Sequence, residues 1–129
     1  MDACTKPSFA LAKKSLPKPL FEVLTFLFQQ KLSDCALVGG TALSGFYTGH
    51  RRSDDIDLFT ADHLSFKAAH LSVRSLKKMS VHFIKETTSA FYYHAVCSYK
   101  NHFFTIDLVV DENLFRVGEF YPIENQILI

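Results

Sequence analysis

Apolar residues recur at Leu20, Val23, Leu24, Leu27 and Phe28, an i, i+3, i+4, i+7, i+8 stripe. That spacing predicts an amphipathic helix over Lys18 to Lys31, opened by Pro17 and Pro19 and closed by Ser33 and Asp34. Ala36 to Val38 is too short for a helical turn to repeat and reads as a strand that runs into Gly39-Gly40. Thr41 to Tyr47 reads as a short helix with Gly49 near its end. From Asp55 to Phe59 the period changes to two, with carboxylate and apolar residues alternating, which is a strand period. Asp62 is placed to cap a helix over Leu64 to Lys78, whose inner face is Phe66, Ala69, Val73 and Leu76. Three strand-like runs follow, Val81 to Glu86, Phe91 to Ser98 and His102 to Val110. Ser89-Ala90 and a tight Lys100-Asn101 turn connect them. Ile123 to Ile129 could add another short strand.

The order is helix, strand, helix, strand, helix and a three-strand meander. It predicts an α+β domain with a mixed β-sheet flanked by helices. Residues 1 to 16 read as an N-terminal arm and residues 17 to 129 as one core domain. A chain of 129 residues buries a single modest core. Hydrophobic content of 48% with 21% charged residues is the composition of a globular protein.

Charge and cysteine usage narrow the function. The formal net charge of +1 gives no global field for nucleic acid or an anionic membrane, so an RNA partner would need a local basic patch. Cys4, Cys35 and Cys97 are an odd, widely spaced set without CxxC, which suits reduced thiols in the cytoplasm. The N-terminal lysines precede no compact apolar run, so no signal peptide is expected. The most apolar window, Leu20 to Phe28, is too short to span a bilayer.

The chemistry gathers between Val38 and Thr60. Asp55 and Asp57 leave a strand on the same side, about 7 Å apart at Cα. Asp-x-Asp alone also describes a solvated strand face. Two observations favour a site. Asp is a poor strand former. A further acid, Asp107, interrupts the apolar run Thr105 to Val110, where it is costly to bury unless paired or bound to metal. If the two strands are neighbours, three carboxylates converge, a set suited to divalent metal and to phosphoryl or nucleotidyl transfer. Asp111 and Glu112 fall in the following turn.

Gly39 and Gly40 let backbone amides approach phosphate oxygens at a helix N-terminus, and Thr41 adds a hydroxyl there. Alone, such a pair is more often a structural turn. There is no GxxxxGK[ST] and no GxGxxG. In the basic run His50-Arg51-Arg52, Arg52 lies nearer the acids and is suited to bidentate phosphate contact, whereas Arg51 serves equally as an exposed partner of Asp54. His63, His70, His82, His94 and His102 show no common metal-ligand spacing. His82, His94 and His102 are read as structural or exposed strand residues.

GGTALSGFYTGHRRSDDIDLF resembles the signature of the AbiEii/AbiGii-type nucleotidyltransferases, a branch of the polymerase β-like superfamily. The match is close over Leu37 to Thr60 and extends loosely to Ile106 to Val110. The resemblance implies that Gly39, Gly40 and Thr41 contact the triphosphate of an NTP, beside Arg52, which its place near the acids suggests as a further phosphate contact. It implies that Asp55, Asp57 and Asp107 are catalytic and hold Mg²⁺ in a two-ion site, with Mn²⁺ able to substitute. Asp107 would help deprotonate the attacking hydroxyl. The implied reaction moves a nucleoside monophosphate from an NTP to an RNA (such as a tRNA end) or protein acceptor, in a toxin of a type IV toxin–antitoxin system.

Longer family members continue, after a strand like Ile123 to Ile129, into a helical region that completes the nucleotide pocket. The sequence stops at that point, so a core truncated after its catalytic part is expected. The alternative is a catalytically inactive module of the same fold that binds nucleotide or a partner, such as an antitoxin or a completing subunit. A glycosyltransferase using Asp-x-Asp is weaker, because only some fifty residues precede the motif.

Overall fold

The computed structural model describes residues 9–30, 34–38, 54–111, 122–123 and 127–128. Helix α1 spans Phe9–Ser15, within the stretch expected as an arm, and Leu16 just after it is buried. Helix α2 spans Lys18–Phe28, with Pro17 at its N-cap and Pro19 in the first turn, where a missing N–H leaves no bond unmade. All five stripe residues, Leu20, Val23, Leu24, Leu27 and Phe28, are buried. The helix ends three residues earlier than the stripe implies. Its last turn tightens, with Gln30 N donating to Leu27 O at 3.0 Å.

Strands β1 (Cys35–Val38) and β2 (Asp55–Thr60) are antiparallel neighbours. Helix α3 (His63–Arg74) follows, and its capping box is complete. Asp62 Oδ1 accepts from Ser65 N at 2.8 Å while Ser65 Oγ accepts from Asp62 N at 3.1 Å. A 3₁₀ turn, Ser75–Met79, continues it and stops at Ser80, which has a left-handed φ of 73°. The expected inner face of Phe66, Ala69, Val73 and Leu76 is buried throughout.

The meander is β3 (His82–Thr88), β4 (Tyr92–Tyr99) and β5 (His102–Val110), with an irregularity in β3 between Phe83 and Lys85. Lys100 and Asn101 both have positive φ, 50° and 64°, as a two-residue hairpin turn of the primed type requires. Two short strands, β6 (Pro122–Ile123) and β7 (Ile127–Leu128), complete the described sheet. The strand order is β3-β4-β5-β2-β1-β7-β6. β2 lies parallel to β5 and β1 parallel to β7, while the other pairs are antiparallel, so the sheet is mixed.

One face of this sheet carries the core. Leu37, Ile56, Leu58, Tyr93, Ala95, Phe104, Ile106 and Leu108 are buried against residues of α2, α3 and the 3₁₀ turn. The side chains between them, at Asp57, Thr105, Asp107 and His94, emerge on the opposite face. The expected helix over Thr41 to Tyr47 lies outside the described residues.

Candidate active site

β2 and β5 run side by side in register from Asp55–Thr105 to Thr60–Val110. Backbone bonds extend the pairing at both ends, from Thr105 N to Asp54 O at 3.0 Å and from Asp111 N to Thr60 O at 2.9 Å. Thr60 Oγ1, buried between the two strands, donates to Val109 O at 3.0 Å. In this ladder Asp57 and Asp107 are direct Cα partners. Neighbouring strands lie about 4.8 Å apart, so the two carboxylates start from adjacent points on one face. Asp55 stands one pleat further along β2, on the same face.

The electrostatics follow from that placement. Partial burial raises the pKa of the Asp57 carboxyl, and the charges of Asp107 and Asp55 raise it further. The middle acid thus feels both of the others, as three carboxylates sharing one surface should.

Each flanking acid is held by side chains of its own sheet face. Thr105 Oγ1 donates to Asp55 Oδ1 at 2.7 Å. Asp107 Oδ1 accepts from Tyr92 Oη at 2.8 Å and lies 2.7 Å from His94 Nδ1. The bond to Asp107, with some desolvation, raises the Tyr92 phenol above its usual range and keeps it a donor. His102 Nε2 is 2.8 Å from Asp54 Oδ1, but off the line of a hydrogen bond.

A hard divalent cation suits such a set, because carboxylate oxygens are its preferred ligands. The kind of donor, the shared face and the raised Asp57 fit a cation. In their present rotamers, though, no three His, Cys, Asp or Glu side chains among the described residues close around one point. A cation would draw Asp55 from the hydrogen bond that Thr105 makes.

Gly39, Gly40, Thr41, Arg51 and Arg52 lie outside the described residues, so the phosphate-binding half of the expected site has no described geometry. Sequence reasoning set His94 aside as structural and passed over Tyr92, yet both reach Asp107. The turn carried the missing signal. With a two-residue loop at Lys100-Asn101, Tyr99 pairs with His102, and counting back places His94 opposite Asp107. A groove of about 360 Å³ lined by Lys13, Lys18, Phe21 and Glu22 belongs to the helical layer and includes none of these acids.

The fold is that of a nucleotidyltransferase core. It is similar to a candidate nucleotidyltransferase from H. pylori, at 15% identity and a TM-score of 0.52, over 84% of this chain and 51% of that one. A family model, "Nucleotidyl transferase AbiEii toxin, Type IV TA system", matches residues 25–117, and the chain belongs to that family. A cytoplasmic RNA terminal U-transferase aligns with 85% of this chain and 32% of its own, at 19% identity and a TM-score of 0.44. No curated protein matches the chain. The chain spans about half the length of the H. pylori protein, at 51%. No helix among the described residues is long and apolar enough to cross a membrane.

Proposed function

We propose that this chain carries the catalytic core of a nucleotidyltransferase that moves a nucleoside monophosphate from an NTP to an RNA or protein acceptor in the cytoplasm. The observation that supports this most is the in-register pairing of Asp57 with Asp107 on the sheet face away from the helices. It puts three acids, from two strands far apart in sequence, on one surface. Family membership supplies the reaction class.

In this reading Asp55, Asp57 and Asp107 hold divalent metal, with Mg²⁺ as the expected ion and Mn²⁺ as a substitute. Bound there, metal supplies positive charge to the attacking and leaving oxygens. Gly39, Gly40 and Thr41 offer amide and hydroxyl donors to the triphosphate, and Arg52 a bidentate guanidinium. Asp107, the third acid of the set, is the residue that the family resemblance suggests as the acceptor of the hydroxyl proton. The acceptor hydroxyl attacks the α-phosphorus in line, the bond to the β-phosphate oxygen breaks, and pyrophosphate leaves. An antitoxin is the regulatory partner that the type IV assignment suggests.

A second reading has one observation of its own. Phe103 is 65% exposed and Tyr92 37% exposed on the same face as the acids. Exposed aromatics beside the site suit a surface that a further segment or subunit covers. In that case this chain binds nucleotide and turns over only when completed.

The test is thermal. Mg²⁺ with NTP raises the Tm of the wild type, and Asp57→Asn removes the rise. Labelled NTP with candidate RNA and protein acceptors then separates the readings. Transfer supports the enzyme; Mg·NTP binding without transfer to any acceptor supports the binding module. Absence of any Mg·NTP effect on the wild type contradicts both.

A further inference from the structure

Asp107 is gripped from one side. Tyr92 and His94 occupy alternate positions of β4 and so share its outward face. His94 is the direct Cα partner of Asp107, and Tyr92 reaches it diagonally from the position opposite Val109. Their rings lie within 9° of parallel, with centroids 6.3 Å apart. Both meet the same atom, Asp107 Oδ1, at 2.8 and 2.7 Å.

An ionised carboxylate only accepts, so each neighbour must donate. Tyr92 gives its hydroxyl proton, and His94 carries a hydrogen on Nδ1. Two donors occupy the lone pairs of Oδ1. Among the described residues, both side-chain contacts to Asp107 fall on Oδ1.

We propose that Tyr92 and His94 are positioning residues: by pinning Oδ1 they orient Asp107 so that Oδ2 faces the space shared with Asp57. The inference rests on the reading of Asp107 as a cation ligand. It adds two residues that hold the carboxylate in its binding orientation before the cation arrives. Outer-shell partners of this kind typically change metal affinity by about 10- to 100-fold when removed.

The competing explanation is that these bonds merely tie β4 to β5. The two differ in what they move. A hairpin tie affects Tm and leaves cation affinity alone, whereas a positioning role affects affinity at constant fold.

The experiment is a Mn²⁺ titration by electron paramagnetic resonance on wild type, Tyr92→Phe, His94→Ala and His94→Asn, each checked for Tm. Tyr92→Phe keeps the ring and loses the donor. His94→Asn restores an N–H donor close to the position of Nδ1. Expected are about 10-fold or greater losses of Mn²⁺ affinity in Tyr92→Phe and His94→Ala, and recovery in His94→Asn. Should His94→Ala not fold, Tyr92→Phe and His94→Asn carry the comparison. Wild-type affinity retained in Tyr92→Phe and in His94→Ala or, failing that, no donor dependence between the two folded variants overturns the inference alone. A wild type that binds no Mn²⁺ overturns the reading of the site, and this inference with it.

Discussion

Asp57 and Asp107 face each other across a parallel pair of strands, fifty residues apart in the chain and directly opposed in register. Parallel pairing keeps both side chains on one face, because equivalent positions of neighbouring strands share the pleat. The buried side chains on either side of them, Ile56 and Leu58 on β2 and Ile106 and Leu108 on β5, fix which face that is.

The first prediction concerns pH. Burial, and then Asp107 and Asp55, raise the Asp57 pKa above 3.8. Such a carboxyl binds its proton more tightly folded than unfolded. The stability this confers is complete below about pH 3.8 and is lost as pH rises through the folded value. Without metal, Asp57→Asn should therefore melt higher than wild type at pH 7, with the gain shrinking towards pH 3. Calorimetry at the two pH values checks this. A variant that melts lower than wild type at pH 7 would show that the three acids do not repel.

The pleat itself can be tested beneath the acids. Leu58 is fully buried, one position from Asp57. Leu58→Ala should cost about 2–5 kcal/mol, by lost transfer energy and the cavity left behind. Urea unfolding measures it, and a loss below about 1 kcal/mol would mean that β2 faces the other way.

Thiol chemistry gives an independent check on burial. Burial pushes the Cys35 thiol up to about 12, and burial followed by the charge of Glu86 pushes Cys97 up to about 12. At pH 8 roughly one in 10,000 of each is thiolate, and neither is accessible. Iodoacetamide should leave both unmodified in the folded protein and label both in urea. Rapid labelling of Cys97 without denaturant would contradict the packing of β4 on the helices.

Much of this was legible in the sequence, for reasons that differ by element. The helix stripes of α2 and α3 carry their own burial, since 3.6 residues per turn decides which side chains share a face. Asp62 announced the start of α3 because a capping side chain acts on its own backbone. The Asp55–Phe59 alternation located β2 and its two faces. The adjacency of β2 and β5 was a different matter. No turn joins them, so their pairing depends on the whole sheet, and convergence of the acids could be stated only conditionally. His94 was overlooked because it was judged by ligand spacing along the chain, whereas its partner lies across a hairpin. The glycine turn stays with the family resemblance, and Arg52 with its nearness to the acids in sequence, and both with the proposal built on them.

The most direct test is a crystal grown with Mn²⁺ and a non-hydrolysable NTP, with the cation located by its anomalous signal. The account predicts manganese about 2.2 Å from oxygens of Asp57 and Asp107, with Asp55 completing the protein ligands and the triphosphate bound against the same ion. Manganese elsewhere on the protein, with none beside Asp57 and Asp107, would contradict it.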